Sequence, residues 1–207
     1  MLASMFNEYN KPFYKSALPM ELDIIPLPSY TDFCSALFTK MGKTIEKDAI
    51  TFTYHLFGAN TYEMQQVMNI AFALTPDKGT ATEKIIEDSI DTIIYGNDSM
   101  YRELFSKGRS NKEMNLLQCL ATEGIASGLT SEDMIAKYSL GGSSSVQYSL
   151  KKLMNPDKIV VYETGNRKYR LQDRFFELWI CGQIGILDAK YAAAESLFLK
   201  ERGATGL

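Results

Sequence analysis

The sequence predicts a mainly α fold, a helical lid-like bundle followed by a winged helix-turn-helix domain, with a short N-terminal strand remnant. Residues 130–180 present in order a short helix, a Gly-Gly break, a second helix and two strands. Residues 29–106 repeat apolar residues at helical spacing between short links. With 45% hydrophobic and 23% charged residues in a chain of 207, there is enough apolar material for one or two packed domains, and a disordered chain is excluded.

Within residues 130–180, Ser131 is expected to cap a helix that turns Met134, Ile135 and Tyr138 inward. Leu140-Gly141-Gly142 then supplies a break where positive φ costs nothing, and the hydroxyls of Ser143 to Ser145 can cap the next helix. In that helix Val146, Leu150 and Leu153 mark a packed face, while Gln147, Tyr148, Lys151 and Lys152 fall on the other side. Asn155-Pro156-Asp157 ends it. Residues 159–162 read as a strand, Gly165-Asn166 as a hairpin turn and residues 168–171 as the returning strand.

Five helices are expected before this domain. Ser29 with Asp32 reads as a capping-box start to a helix whose apolar stripe is Phe33, Leu37 and Met41, closed by Gly42. Ile45, Ala49, Phe52 and Leu56 form the next stripe, and Met64, Val67, Met68, Ala71 and Leu74 the third, up to Pro76. Thr80 with Glu83 opens a helix on Ile86, Ile90 and Ile93, and Asp98 caps a shorter one through Tyr101, Leu104 and Phe105. Residues 111–123 make the first helix of the winged domain on Met114, Leu117 and Leu120; residues 175–186 and 189–200 read as a C-terminal helical extension. Ahead of the bundle, MELDIIPL (20–27) reads as a strand, with no further strand expected before Ile159. The predicted division is 1–28, 29–106, 107–174 and 175–207.

The formal net charge of −3 hides an asymmetry, because residues 107–174 carry eleven Lys and Arg against seven Asp and Glu. Cys34, Cys119 and Cys181 lie far apart among apolar residues, which points to buried free thiols and a reducing cytoplasm. No apolar run approaches the ~20 residues of a membrane span, and Met1-Leu2-Ala3-Ser4 does not open a signal peptide. Sequence patterns for a P-loop, a GxGxxG turn, a zinc-binding HExxH or a serine elbow are absent. His55 reads as a structural or surface histidine, and Glu87, Asp88 and Asp91 as a solvated helix face, so neither a catalytic residue nor a metal site is expected.

The functional candidates are therefore the polar residues of the winged region. Lys151 and Lys152 on its second helix, with Arg167, Lys168 and Arg170 on the wing, suit phosphates, while Ser144, Gln147 and Tyr148 suit base edges in a major groove. The same surface suits protein docking.

KPFYKSA, MELDIIPL, PSYTDFC, SLGGSSSVQYSLKKL and KYRLQDRFFELWI, in that order, resemble the C-terminal half of prokaryotic AAA+/STAND-type ATPases of the archaeal-ATPase kind. The resemblance implies that residues 1–28 end a nucleotide-binding core, 29–106 form the helical lid and 110–173 the winged helix. It also implies ATP and Mg in a full-length relative, and no cofactor in this chain. The Walker A and B strands of that family are absent, and Lys11 and Lys15 stand where members often carry arginine. The expected function is a regulatory and partner-binding portion of such an ATPase, without catalysis of its own; the alternative is a free-standing winged-helix DNA-binding transcriptional regulator. Expected partners are DNA, the ATPase core or another protein, and a second copy meeting Met5, Phe6, Leu22, Ile24, Ile25 and Leu27.

Overall fold

The computed structural model describes residues 23–155 and 160–204, with side chains through Leu197. Helices α1 (Leu27–Lys40), α2 (Lys47–Leu56), α3 (Thr61–Leu74), α4 (Glu83–Gly96) and α5 (Asp98–Ser106) form the bundle. The winged helix follows as α6 (Asn111–Glu123), α7 (Glu132–Tyr138), α8 (Ser143–Leu153), β3 (Val161–Gly165) and β4 (Lys168–Leu171), and α9 (Arg174–Gln183) and α10 (Leu187–Ala204) complete the chain. The mainly α class is as the sequence predicts.

Several local expectations change. Asp23 to Pro26 carry no strand, and α1 starts at Leu27 with Pro26 before it, so Ser29 lies inside the helix rather than capping it. Ile24 and Ile25 are exposed; Met5, Phe6 and Leu22 lie outside the described residues. The stripe of α1 is displaced by one position. Tyr30, Cys34 and Phe38 are buried, whereas Phe33, Leu37 and Met41 are 50%, 46% and 66% exposed. A stripe of aromatic and thiol side chains outcompeted the more aliphatic one because Tyr30 and Phe38 fill space against Tyr54 and Phe72, with ring centroids 6.3 and 5.3 Å apart.

Two short parallel strands were not expected. β1 (Thr44–Ile45) pairs with β2 (Thr80–Ala81), holding together the loops that precede α2 and α4. Thr80 is thus a strand residue, not a cap, and Thr82 precedes α4 without a side-chain cap bond. The Asp98 carboxylate likewise caps nothing: it accepts from Arg102 Nε at 2.7 Å and from Trp179 Nε1 at 2.9 Å. Elsewhere the apolar spacing holds except at the end of α3, where Leu74 is 46% exposed, and at Met114, which is half-buried. Ala49, Phe52, Leu56, Met64, Val67, Ala71, Ile86, Ile90, Leu117 and Leu120 are all buried, as are the free thiols Cys34, Cys119 and Cys181.

The centre of the molecule is α9. Every residue from Phe175 to Cys181 is buried, and the helix packs on α4 and α5 of the bundle, on α6 and β4 of the winged helix, and on α10. Its aromatic residues reach the bundle on two sides, Phe175 against Phe57 at 4.9 Å and Phe176 against Tyr101 at 5.4 Å. Trp179 stacks on Phe176 at 6.0 Å and meets Phe105 at 5.8 Å. Bundle and winged helix consequently share one continuous core rather than facing each other across a polar seam.

Candidate functional site

The helix-turn-helix forms much as its residues demand. Ser131 accepts from the Met134 N–H at 3.4 Å, and Met134, Ile135 and Tyr138 pack partly buried on the core. The reversal before α8 rests on Ser139 (φ 52°) and Gly141 (φ 80°), while Gly142 has an ordinary extended φ of −69° and serves as the N-cap. Ser143 to Ser145 therefore form the first turn of α8 instead of capping it. Val146, Ser149, Leu150 and Leu153 turn inward, which leaves Ser144, Gln147, Tyr148 and Lys151 together on the outer face, with Tyr148 69% exposed.

The wing closes through Asn166 and Arg167, both at positive φ, the pair of left-handed residues that a tight hairpin requires. Arg167 donates its backbone N–H to Glu163 Oε1 at 2.9 Å, and the register pairs Val161 with Leu171 and Tyr162 with Arg170. Ile159 lies outside the described residues. A third segment joins the sheet, since Ala126 exchanges both backbone hydrogen bonds with Tyr169 at 2.9 and 2.8 Å. Gly124 and Gly128, both at positive φ, bracket this short bridge.

Two of the eight candidate residues are engaged by other groups of the chain. Lys152 Nζ donates to both carboxylate oxygens of Glu113, at 2.9 and 3.1 Å, and to the Gly108 carbonyl at 3.3 Å. Glu113 is 3% exposed, so Lys152, itself 45% exposed, neutralises a buried charge. Arg170 is half-buried, with its guanidinium over the Tyr162 ring at 5.8 Å and no acceptor for Nε among the described residues. Arg167 and Lys168 remain exposed at the wing tip, and Lys151 on α8.

Arg170 belongs to a charged junction that sequence reasoning missed. Asp173 caps α9 by accepting from the Phe176 N–H at 3.0 Å, and Glu63 of α3 accepts from the Arg174 N–H at 2.8 Å, so a bundle carboxylate helps cap the helix after the wing. Burial pushes the Glu63 carboxyl above its ordinary range, the Arg174 N–H opposes that shift, and Asp173 adds to it. Arg174 Nε donates to the Leu56 carbonyl at 2.9 Å, and its guanidinium pairs with the fully buried Glu177. Lys190 Nζ donates to the Thr122 carbonyl at 2.9 Å and reaches the same Glu177 oxygen at 3.4 Å. The sequence signal was available: a charged pair three residues apart inside RFFELWI, on a helix with no polar face to receive it.

Two cavities border the junction. One, of about 380 Å³, is lined by His55, Leu56, Arg170, Arg174 and Lys190 among others. The other, of about 360 Å³, is lined by Glu63, Asp173, Tyr101 and the carboxamides of Asn60, Gln66, Asn97 and Gln172. His55 is half-buried, its ring edge-on to Tyr54 at 5.8 Å. Among the described residues no group of three or more His, Cys, Asp or Glu side chains could hold a metal ion, and no helix is long and apolar enough to cross a membrane.

Residues 99–182 match a family model described as a probable winged helix domain. The matched stretch begins within α5 and ends within α9, so it includes the helix on which the winged helix and bundle meet. No curated protein and no solved structure matches the chain. The fold and this match define a winged helix domain, a class of module that docks DNA or protein.

Proposed function

We propose that this chain is the regulatory, partner-binding portion of an AAA+/STAND-type ATPase, without chemistry of its own, and that the outer face of α8 docks a protein. The observation that carries the reading is the pairing of Lys152 with the buried Glu113 and the half-burial of Arg170 against the Tyr162 ring. Lys151, Arg167 and Lys168 are the exposed candidate cations without an ion-pair partner among the described residues, while Glu132 and Asp133 are exposed at the start of α7. Duplex DNA demands more neutralisation than that, because most of its non-specific affinity comes from phosphates paired with Lys and Arg. Tyr148, large and solvent-facing between Gln147 and Lys151, has the character of a protein-interface anchor. ATP and Mg would belong to a nucleotide-binding core, whose glycine-rich loop this sequence lacks.

A second reading, a winged-helix DNA-binding regulator, is favoured by the clustering of Ser144, Gln147, Tyr148 and Lys151 on one exposed helix face. Fluorescence anisotropy with duplex DNA across several salt concentrations separates the two. The protein-docking reading expects weak binding without sequence preference. Tight, sequence-dependent binding that falls in the Lys151→Ala/Arg167→Ala/Lys168→Ala variant, with a salt slope flatter by about 0.9 per lost contact, would establish the second. Magnesium-dependent ATP turnover by the purified chain would contradict both.

A further inference from the structure

The 380 Å³ cavity beside α9 is unevenly charged. Glu177 serves two cations, Arg174 and Lys190, whose side chains are only 16% and 14% exposed. Glu123, also on the wall, is already engaged by Lys137 at 2.8 Å and by the Tyr138 hydroxyl. Arg170 has no carboxylate within ion-pair distance among the described residues; Glu63 acts on it only at longer range from the far side of the junction. Arg170 and the amino group of Lys190 therefore give the cavity an oxyanion-binding wall. Beyond these groups, His55 and Arg174, the wall is apolar, formed by Leu56, Ala194, Ile125 and Leu197, with Ile125 and Leu197 half-exposed.

We propose that this cavity binds a short organic acid, its carboxylate held by Arg170 and Lys190 and its apolar body lying against Leu56, Ala194 and Leu197. The volume suits such a ligand. An occupant touches α2, the end of α6, β4, α9 and α10 at once, so its binding stiffens the joint between bundle and winged helix. The site is independent of what α8 docks and stands or falls separately from it.

Isothermal calorimetry and thermal unfolding of the full chain with hexanoate, and in parallel with inorganic phosphate, test the proposal. Hexanoate is expected to bind saturably, to raise the unfolding temperature and to outcompete phosphate. Arg170→Gln is expected to weaken it by about tenfold or more, the scale of a lost charge-assisted pair. Should that variant fold poorly, Ile125→Glu places a carboxylate at the exposed rim and is expected to weaken hexanoate in the same direction. Absence of saturable binding, tighter binding of phosphate, or hexanoate affinity unchanged by both substitutions would each overturn the proposal.

Discussion

Helices α8 and α9 lie close in sequence and differ in how they use charge. In α8 the charged and aromatic residues at 148 and 151 face outward, and the one inward-reaching cation, Lys152, is fixed on Glu113. In α9 an uninterrupted run from Phe175 to Cys181 is buried, and its Glu177 is held by Arg174 and Lys190. Charge on the first helix is available to a partner, whereas charge on the second is structural. A count of Lys and Arg over residues 107–174 cannot separate these uses, because several of those cations are already neutralised by carboxylates of the same chain.

The difference is broken most severely at Glu177. Replacing it with alanine leaves Arg174 and Lys190 facing each other in the interior, and urea unfolding is expected to show a loss of about 3–5 kcal/mol. Next comes the contrast between neighbours on α8. Lys152→Ala strands the buried Glu113 carboxylate and is expected to cost about 1–3 kcal/mol, discounted because Lys152 itself is 45% exposed. Lys151→Ala is expected to stay within about 0.5 kcal/mol by the same measurement. Equal effects at 151 and 152 would remove the distinction between an unpaired surface cation and a structural one.

A subtler test lies where α4 meets α10. Burial, together with the hydrogen bond and charge of Glu195, pushes the Glu83 carboxyl up to about 7, with Glu87 and Asp48 adding to the shift. The folded state then holds that proton more tightly than the unfolded chain does. Its contribution to stability is complete below about pH 4.5 and is lost as pH rises towards 7. Glu83→Gln is expected to flatten the stability profile across that window and to raise the urea midpoint at pH 8. A parallel profile in parent and variant would exclude this coupling.

Much of this was legible in the residues. The helices announced themselves through apolar spacing, and Ser131 and the glycine break located the helix-turn-helix, because those signals depend on local backbone geometry alone. The α1 stripe went wrong for a non-local reason: Phe33, Leu37 and Met41 have the right period, yet Tyr30, Cys34 and Phe38 have the better partners across the bundle. The two-residue strands β1 and β2 were too short to carry a pattern and exist through pairing across thirty-six positions of chain. Of the site, the outer residues of α8 and the wing tip were readable from helical phase and turn chemistry. Lys152, Arg170 and the junction were not, since nothing local in SLKKLM says which lysine will find Glu113, or that Glu63 will meet Arg174 across the fold.

The central claim is that α9 makes bundle and winged helix one cooperative structure. Urea unfolding followed simultaneously by Trp179 fluorescence, which reports the α9 junction, and by residue-resolved hydrogen exchange in α3 and α8 addresses it directly. The account predicts one shared transition, displaced equally for all three probes by Glu177→Ala. Separate transitions for α3 and α8, with Glu177→Ala shifting only one of them, would contradict it.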